Sequence, residues 1–374
     1  MTTAKSNLAQ SDSTATTSVW QAPWALALGR FVALIAVFLF FAVIIKDGRF
    51  YSSRNLENIL RQSAVYATAG LGMTFVIIAG GIDLSMGSII ALAVVVVAWV
   101  LNLPDQTVGP DGAAVNGLLY EHWPQLLPVL ALLAGVAAAT LAGAANGCMI
   151  VGLRLVPFIV TLGTMLIFRG IAKDVANEKD IYPPSTWLNN IHDPTLVPFL
   201  NWLTGQKGAK APTGLGWLVL PLSIWLLIIA SVVASLILRY TRFGRHVFAI
   251  GSNEETARLC GVNVERTKIM VYALAGFFAG LAAIMLYSDI NGIGQPTAAV
   301  TYELYVIAAV VIGGGSLLGG EGSVVGTLIG ALIITILYMG GKQAGWDQSR
   351  QDMIIGAIII AAVALDRMRY RAMA

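Results

Sequence analysis

Six polar side chains in otherwise apolar surroundings are the groups best placed to do chemistry in this sequence: Asp83, Ser85, Asn146, Asp289, Asn291 and Glu303. Asp83 and Ser85 belong to GGIDLS (80–85), a break between two apolar runs. A carboxylate at membrane depth is costly and marks a candidate site on a solute or proton pathway. The other reading is local: Asp83 caps a helix starting near Leu84 or Ser85. Asn146, Asp289, Asn291 and Glu303, with Gln295, are the groups able to hydrogen-bond a hydroxylated solute, or else to satisfy neighbouring backbone. A second break, GGGSLLGG (313–320) followed by Glu321, allows either close helix packing or an unwound backbone.

The longest charged stretch between apolar runs is 242–268, RFGRHVFAIGSNEETARLCGVNVERTK. Ser252 and Glu255 form an S-x-x-E pattern, in which each side chain satisfies an orphan backbone N–H at a helix start. Gly261 falls where a C′ glycine would stop that helix after about two turns. Glu254 and Arg258 stand at i and i+4 with the acid first, the favourable order. A short, capped, charged helix between two spans is not something a bilayer requires. A partner in the aqueous phase would explain it.

Catalytic apparatus is not visible. There is no G-x-x-x-x-G-K-[ST], since Lys342 is followed by Gln343, and there is no H-E-x-x-H or G-x-S-x-G. Cys148 and Cys260 lie far apart, and neither has metal-ligand neighbours. His122, His192 and His246 all fall in polar connections. The sequence therefore predicts a non-enzyme that binds no cofactor or metal of its own.

The elements that would hold these groups follow from composition. Of 374 residues, 57% are hydrophobic and 11% charged, against about 25% charged in soluble domains. The net charge of +3 is too small and too scattered to suggest nucleic acid. Ten apolar runs cover 26–45, 64–79, 86–103, 127–151, 156–172, 217–238, 269–287, 304–318, 324–339 and 353–365. Several in the second half fall below the roughly 17–25 residues of a full crossing, so eight to ten spans are expected in an all-α polytopic membrane protein. Residues 1–22 read as a disordered cytoplasmic tail, 23–366 as the transmembrane domain with a loop at 241–268, and 367–374 as a basic tail. The positive-inside rule places the Arg154 turn, the 241–268 loop and both termini in the cytoplasm. The acidic loop after Leu103 and the loop 173–216 then face outward. Lys46, Arg49, Arg54 and Arg61 run against that rule, and 46–61 reads as a short amphipathic piece. Trp187, Trp202, Trp217 and Tyr182 suit an interfacial belt. The rhythm of 77–92 is echoed at 311–332, as in transporters built by duplication.

Four segments, GLGMTFVIIAGGIDLSMGSIIAL, VPFIVTLGTM, RFGRHVFAIGSNEETARLCGVNV and VIGGGSLLGGEGSVVGTLIGALI, together resemble the permease subunits of bacterial ribose-, xylose- and galactose-type ABC importers. The resemblance covers about 53–365. It implies a homodimeric or heterodimeric permease in the cytoplasmic (inner) membrane. Such a permease receives a monosaccharide from an extracytoplasmic binding protein and is driven by ATP hydrolysed on a cytoplasmic ATPase subunit. It further implies that the capped helix docks on that ATPase through Glu254, Glu255, Ala257, Arg258, Leu259 and Gly261. The rival reading is a secondary transporter or channel working alone, with Asp83 or Glu303 coupling solute to protons.

Overall fold

The computed structural model describes residues 23–103, 107–108, 114–115, 126–191 and 220–373. The expected N-terminal tail, most of the acidic outer loop, Trp202 and Trp217 lie outside these residues. Helices α1 (Pro23–Ile44), α2 (Ser53–Ile78), α3 (Met86–Asn102), α4 (Leu126–Leu153), α5 (Pro157–Val175) and α6 (Leu222–Tyr240) form the first part. The short α7 (Arg242–Ser252) and α8 (Glu254–Leu259) follow, then α9 (Val264–Asp289), α10 (Tyr302–Ile312), α11 (Val324–Gln343) and α12 (Gln348–Met373). Setting α7 and α8 aside, each helix matches one of the ten apolar runs. A small antiparallel hairpin pairs Thr107–Val108 with Ala114–Val115.

The apolar character of these helices decides the class. Helices α4, α6, α9 and α11 are each long and apolar enough to cross a membrane unaided. The shortest of the apolar helices among the described residues is α10, whose 11 residues reach about 16 Å, half of a hydrocarbon core. It is one of the half-helices that the short apolar runs foreshadowed. The piece at 46–61 is not a separate amphipathic helix. A 3₁₀ turn at Lys46–Gly48 is followed after four residues by α2, whose N-cap Ser52 accepts from the Asn55 N–H.

Helix α2 is the centre of the bundle: every residue from Ser63 to Ile78 is buried, among α6, α7, α9, α10 and α11. The closest pair is α4 with α9. Small residues recur every four positions at Ala139, Gly143 and Gly147 of α4, and α9 meets them with Gly276, Gly280 and the backbone carbonyl of Tyr272. A Cβ on Gly276 would strike the Ala139 carbonyl, so the two backbones touch, which is how membrane helices associate when water supplies no drive between them.

Candidate functional site

At one end of the bundle the 242–268 stretch forms a bracket. Thr241 caps α7 by accepting from the Gly244 N–H at 3.1 Å. Phe243, Val247 and Ile250 share one face of α7, with Val247 and Ile250 buried. The Phe243 ring stacks on Phe75 of α2 at 6.2 Å. Helix α8 starts one residue later than the S-x-x-E pattern predicts. Ser252 ends α7, and Asn253, extended at φ −160°, is the cap that accepts from the Thr256 N–H at 2.8 Å. The expected stop is where the sequence put it. Gly261 is left-handed at φ +83°, its N–H bonds the Arg258 carbonyl, and the Val262 N–H bonds the Ala257 carbonyl, a complete Schellman closure.

Two of the three charges of α8 pair with α9. Glu254 and Arg258 stand 3.7 Å apart as expected, but each has a closer partner: Lys268 at 2.6 Å for Glu254 and Glu265 at 2.5 Å for Arg258. Ala257 is 4% exposed, packed with Ile250 and Val264, so it is not free to touch a partner. Exposed on α8 are Glu255, Thr256, Arg258 and, above all, Leu259 at 88%. Between α8, α9 and the Arg154 turn lies a cavity of about 550 Å³ lined by Arg154, Glu254, Arg258, Glu265 and Lys268.

The two breaks sit just above this bracket. In the first, Asp83, Ser85 and Asn146 are fully buried and form one chain. The Asp83 Oδ1 accepts from the Ser85 N–H at 2.8 Å and from its hydroxyl at 2.6 Å, while the Asn146 amide donates to the Ser85 oxygen at 2.7 Å. Asp83 therefore closes a turn onto the residue preceding α3. Ser85 is the N-cap position of α3 but makes no side-chain cap there. Thr161 of α5 adds a bond to the Ile82 carbonyl at 3.2 Å. The second break, between α10 and α11, is unwound: Gly314, Gly319 and Gly320 all have positive φ.

The remaining predicted site residues lie elsewhere. Asp289 and Asn291 are exposed at the far end of α9, where the Asn291 carbonyl accepts from Asn189 at 3.1 Å. Glu303 is half-buried in the first turn of α10, directly over Gly87 of α3, and its Oε2 has no hydrogen-bond partner. Nearby, Arg169 braces the segment before α10 by donating to the Pro296 and Ala298 carbonyls at 2.9 and 2.6 Å. Tyr66, Tyr302, Tyr305 and Tyr338 form an aromatic cluster that the sequence reading did not single out; the nearest ring centroids, Tyr66 and Tyr302, are 4.7 Å apart.

A multi-pass apolar bundle with two glycine-rich breaks and an exposed bracket at one end is the architecture of the membrane-embedded component of a transport system. The chain belongs to the family described as branched-chain amino acid transport system / permease component, whose model matches residues 55–363. It is 36% identical to the ribose import permease protein RbsC of Escherichia coli strain K12, over 90% of this chain and 93% of that protein. It is 35% identical to the protein of the same name in Bacillus subtilis strain 168, over 91% and 93%. To the xylose transport system permease protein XylH of E. coli K12 the identity is 34%, over 89% and 90%. No solved structure matches the chain.

Proposed function

We propose that the protein is the translocating subunit of an ATP-driven monosaccharide importer in a bacterial cytoplasmic membrane. It would pair with a second permease subunit, take sugar from an extracytoplasmic binding protein and bind a separate ATPase through α8. One observation carries the coupling part: Leu259, a large apolar side chain, stands 88% exposed on a short helix that is capped at both ends and tied to the bundle by ion pairs. An isolated apolar side chain on the surface is ordinary. One held at the tip of a rigid, charged bracket suits insertion into a partner's cleft. Glu255 and Leu259 would make the contact, while Glu254 and Arg258 brace the helix against α9. Closure of two ATPase subunits would then be passed to the bundle as rigid-body rocking.

The family's description names amino acids, whereas the relatives are named for ribose and xylose; identity over nine-tenths of the length favours a sugar. Glu303, with its unbonded carboxylate oxygen, is the pathway residue we favour for a sugar hydroxyl, with Asp289 and Asn291 at the outer mouth. The test is reconstitution with a partner ATPase and a sugar-binding protein, measuring uptake of labelled D-ribose, D-xylose and L-leucine. Sugar uptake that requires ATP supports the proposal. Uptake by the chain alone, driven by a proton gradient, would sink it.

A further inference from the structure

Backbone from three distant parts of the chain meets at one point. The Gly320 N–H, in the second break, donates to the carbonyl of Ile78, the last residue of α2, at 2.9 Å. Gly251, in the last turn of α7, lies against that same carbonyl: a Cβ there would overlap the Ile78 oxygen and come within 2.5 Å of Gly320 N. Gly319 closes the junction, since its Cβ would fall 2.6 Å from the Gly251 carbonyl and 3.0 Å from Gly80 Cα. No side chain intervenes at these contacts, so no rotamer change can absorb a displacement between the three segments. The other end of α7 is fixed to the same helix by the stacking of Phe243 on Phe75.

We propose that Gly251, Ile78 and Gly320 form a backbone clasp that makes the α7–α8 bracket and both helix breaks move as one rigid body. Gly251 is then a positioning residue for transport, acting through the breaks and touching neither solute nor nucleotide. The inference rests on the reading of α8 as the ATPase contact. A force applied at α8 reaches Asp83 and the start of α3 through Gly80, and reaches the α10–α11 break through Gly319 and Gly320, without passing through a flexible loop. A soft connection would let α8 tilt while the breaks stayed still.

The experiment uses the complex of permease, ATPase and binding protein in nanodiscs and proteoliposomes, in a Cys148→Ser, Cys260→Ser background. In Gly251→Ala the ATPase subunit should still co-purify, while D-ribose carried per ATP hydrolysed falls about tenfold or more, the scale of forcing one methyl into a closed contact. Unchanged transport per ATP in an assembled Gly251→Ala complex overturns the clasp. A second arm does not depend on which solute is carried. A Cβ on Gly320 would lie 3.3 Å from Ser252 Cα, so cysteines at the two positions stand within reach of a short bifunctional methanethiosulfonate reagent. The pair Ser252→Cys, Gly320→Cys should therefore crosslink equally in resting and vanadate-trapped complexes, with Gly320→Ala as the control for left-handed strain. A bridge that forms in only one of those states means the contact opens during the cycle, and the proposal fails. If the wild-type complex carries no sugar with ATP, the function proposed above fails, and the crosslink arm still decides the clasp.

Discussion

Substituting Asp83 by Ala and by Asn separates the two roles open to it. Its Oδ1 accepts two donors from Ser85, whereas Oδ2 is buried with no partner. Ala removes the acceptor and leaves the Ser85 N–H orphaned at a site with no access to water. An unsatisfied buried donor costs about 1–3 kcal/mol, and the stranded Ser85 hydroxyl adds about 1 kcal/mol. Side-chain bonds within membrane bundles average only about 0.6 kcal/mol, so the lower half of that range applies, about 2 kcal/mol in all. Asn keeps the Oδ1 acceptor, keeps the volume and removes a buried carboxylate that has no ion-pair partner among the described residues.

The expected order of stability is therefore Asn at least equal to Asp, and both above Ala, with Ala lowering the thermal midpoint by about 2–3 °C. Unfolding of the purified chain in nanodiscs measures this, and uptake in proteoliposomes is read beside it. Asp83→Asn should transport close to wild type, because the turn rather than the charge is what the residue supplies. A folded Asp83→Asn protein that has lost uptake would show that the charge itself is used, and would return Asp83 to the solute or proton pathway.

Other substitutions test the bracket. Arg258→Glu places a third acid beside Glu254 and Glu265 and should abolish ATP-driven uptake while leaving the thermal midpoint unmoved, since exposed pairs contribute only about 0–1 kcal/mol; adding Glu265→Arg should restore part of the uptake. Leu259→Asp should prevent co-purification of the ATPase with no change in folding, and retained binding would remove Leu259 from the contact. Gly261→Val forces a β-branched residue to φ +83°, costing about 1–2 kcal/mol, and should speed protease cleavage between α8 and α9 relative to wild type.

Much of the bundle was legible because apolar run length is a one-dimensional signal. The runs at 127–151 and 269–287 became α4 and α9 with ends shifted by only a few residues. Gly261 was legible for a similar reason, since a stop after a short charged run needs a residue that tolerates φ > 0. The start of α8 was missed by one position because Ser252 and Asn253 are adjacent cap formers, and α7 continues far enough to claim the first. Helix α7 was overlooked although Phe243, Val247 and Ile250 mark an apolar face; its arginines and histidine gave the stretch the look of a loop. The bond from Asn146 to Ser85 and the meeting of Gly251, Ile78 and Gly320 join residues far apart in sequence, and no local pattern announces such pairs. The echo between 77–92 and 311–332 is the nearest thing to a signal. The structure joins the echoing segments through the bond from Gly320 to Ile78.

The energetics of α8 suit it to a transmitted load. Its own buried surface is little more than Ala257, so burial cannot hold a helix of six residues. It is held instead by terminal hydrogen bonds, the Asn253 cap and the Schellman closure, and by ion pairs to α9 worth little each in water. That leaves its outer face uncommitted and its position fixed. A helix anchored by a large apolar face would need that face for the bundle and would have less to offer a partner. One fixed through backbone contacts at α7 can be pushed without being unpacked. On this view, rigidity is concentrated where glycines bring backbone onto backbone, and the surface chemistry of α8 remains free for its partner.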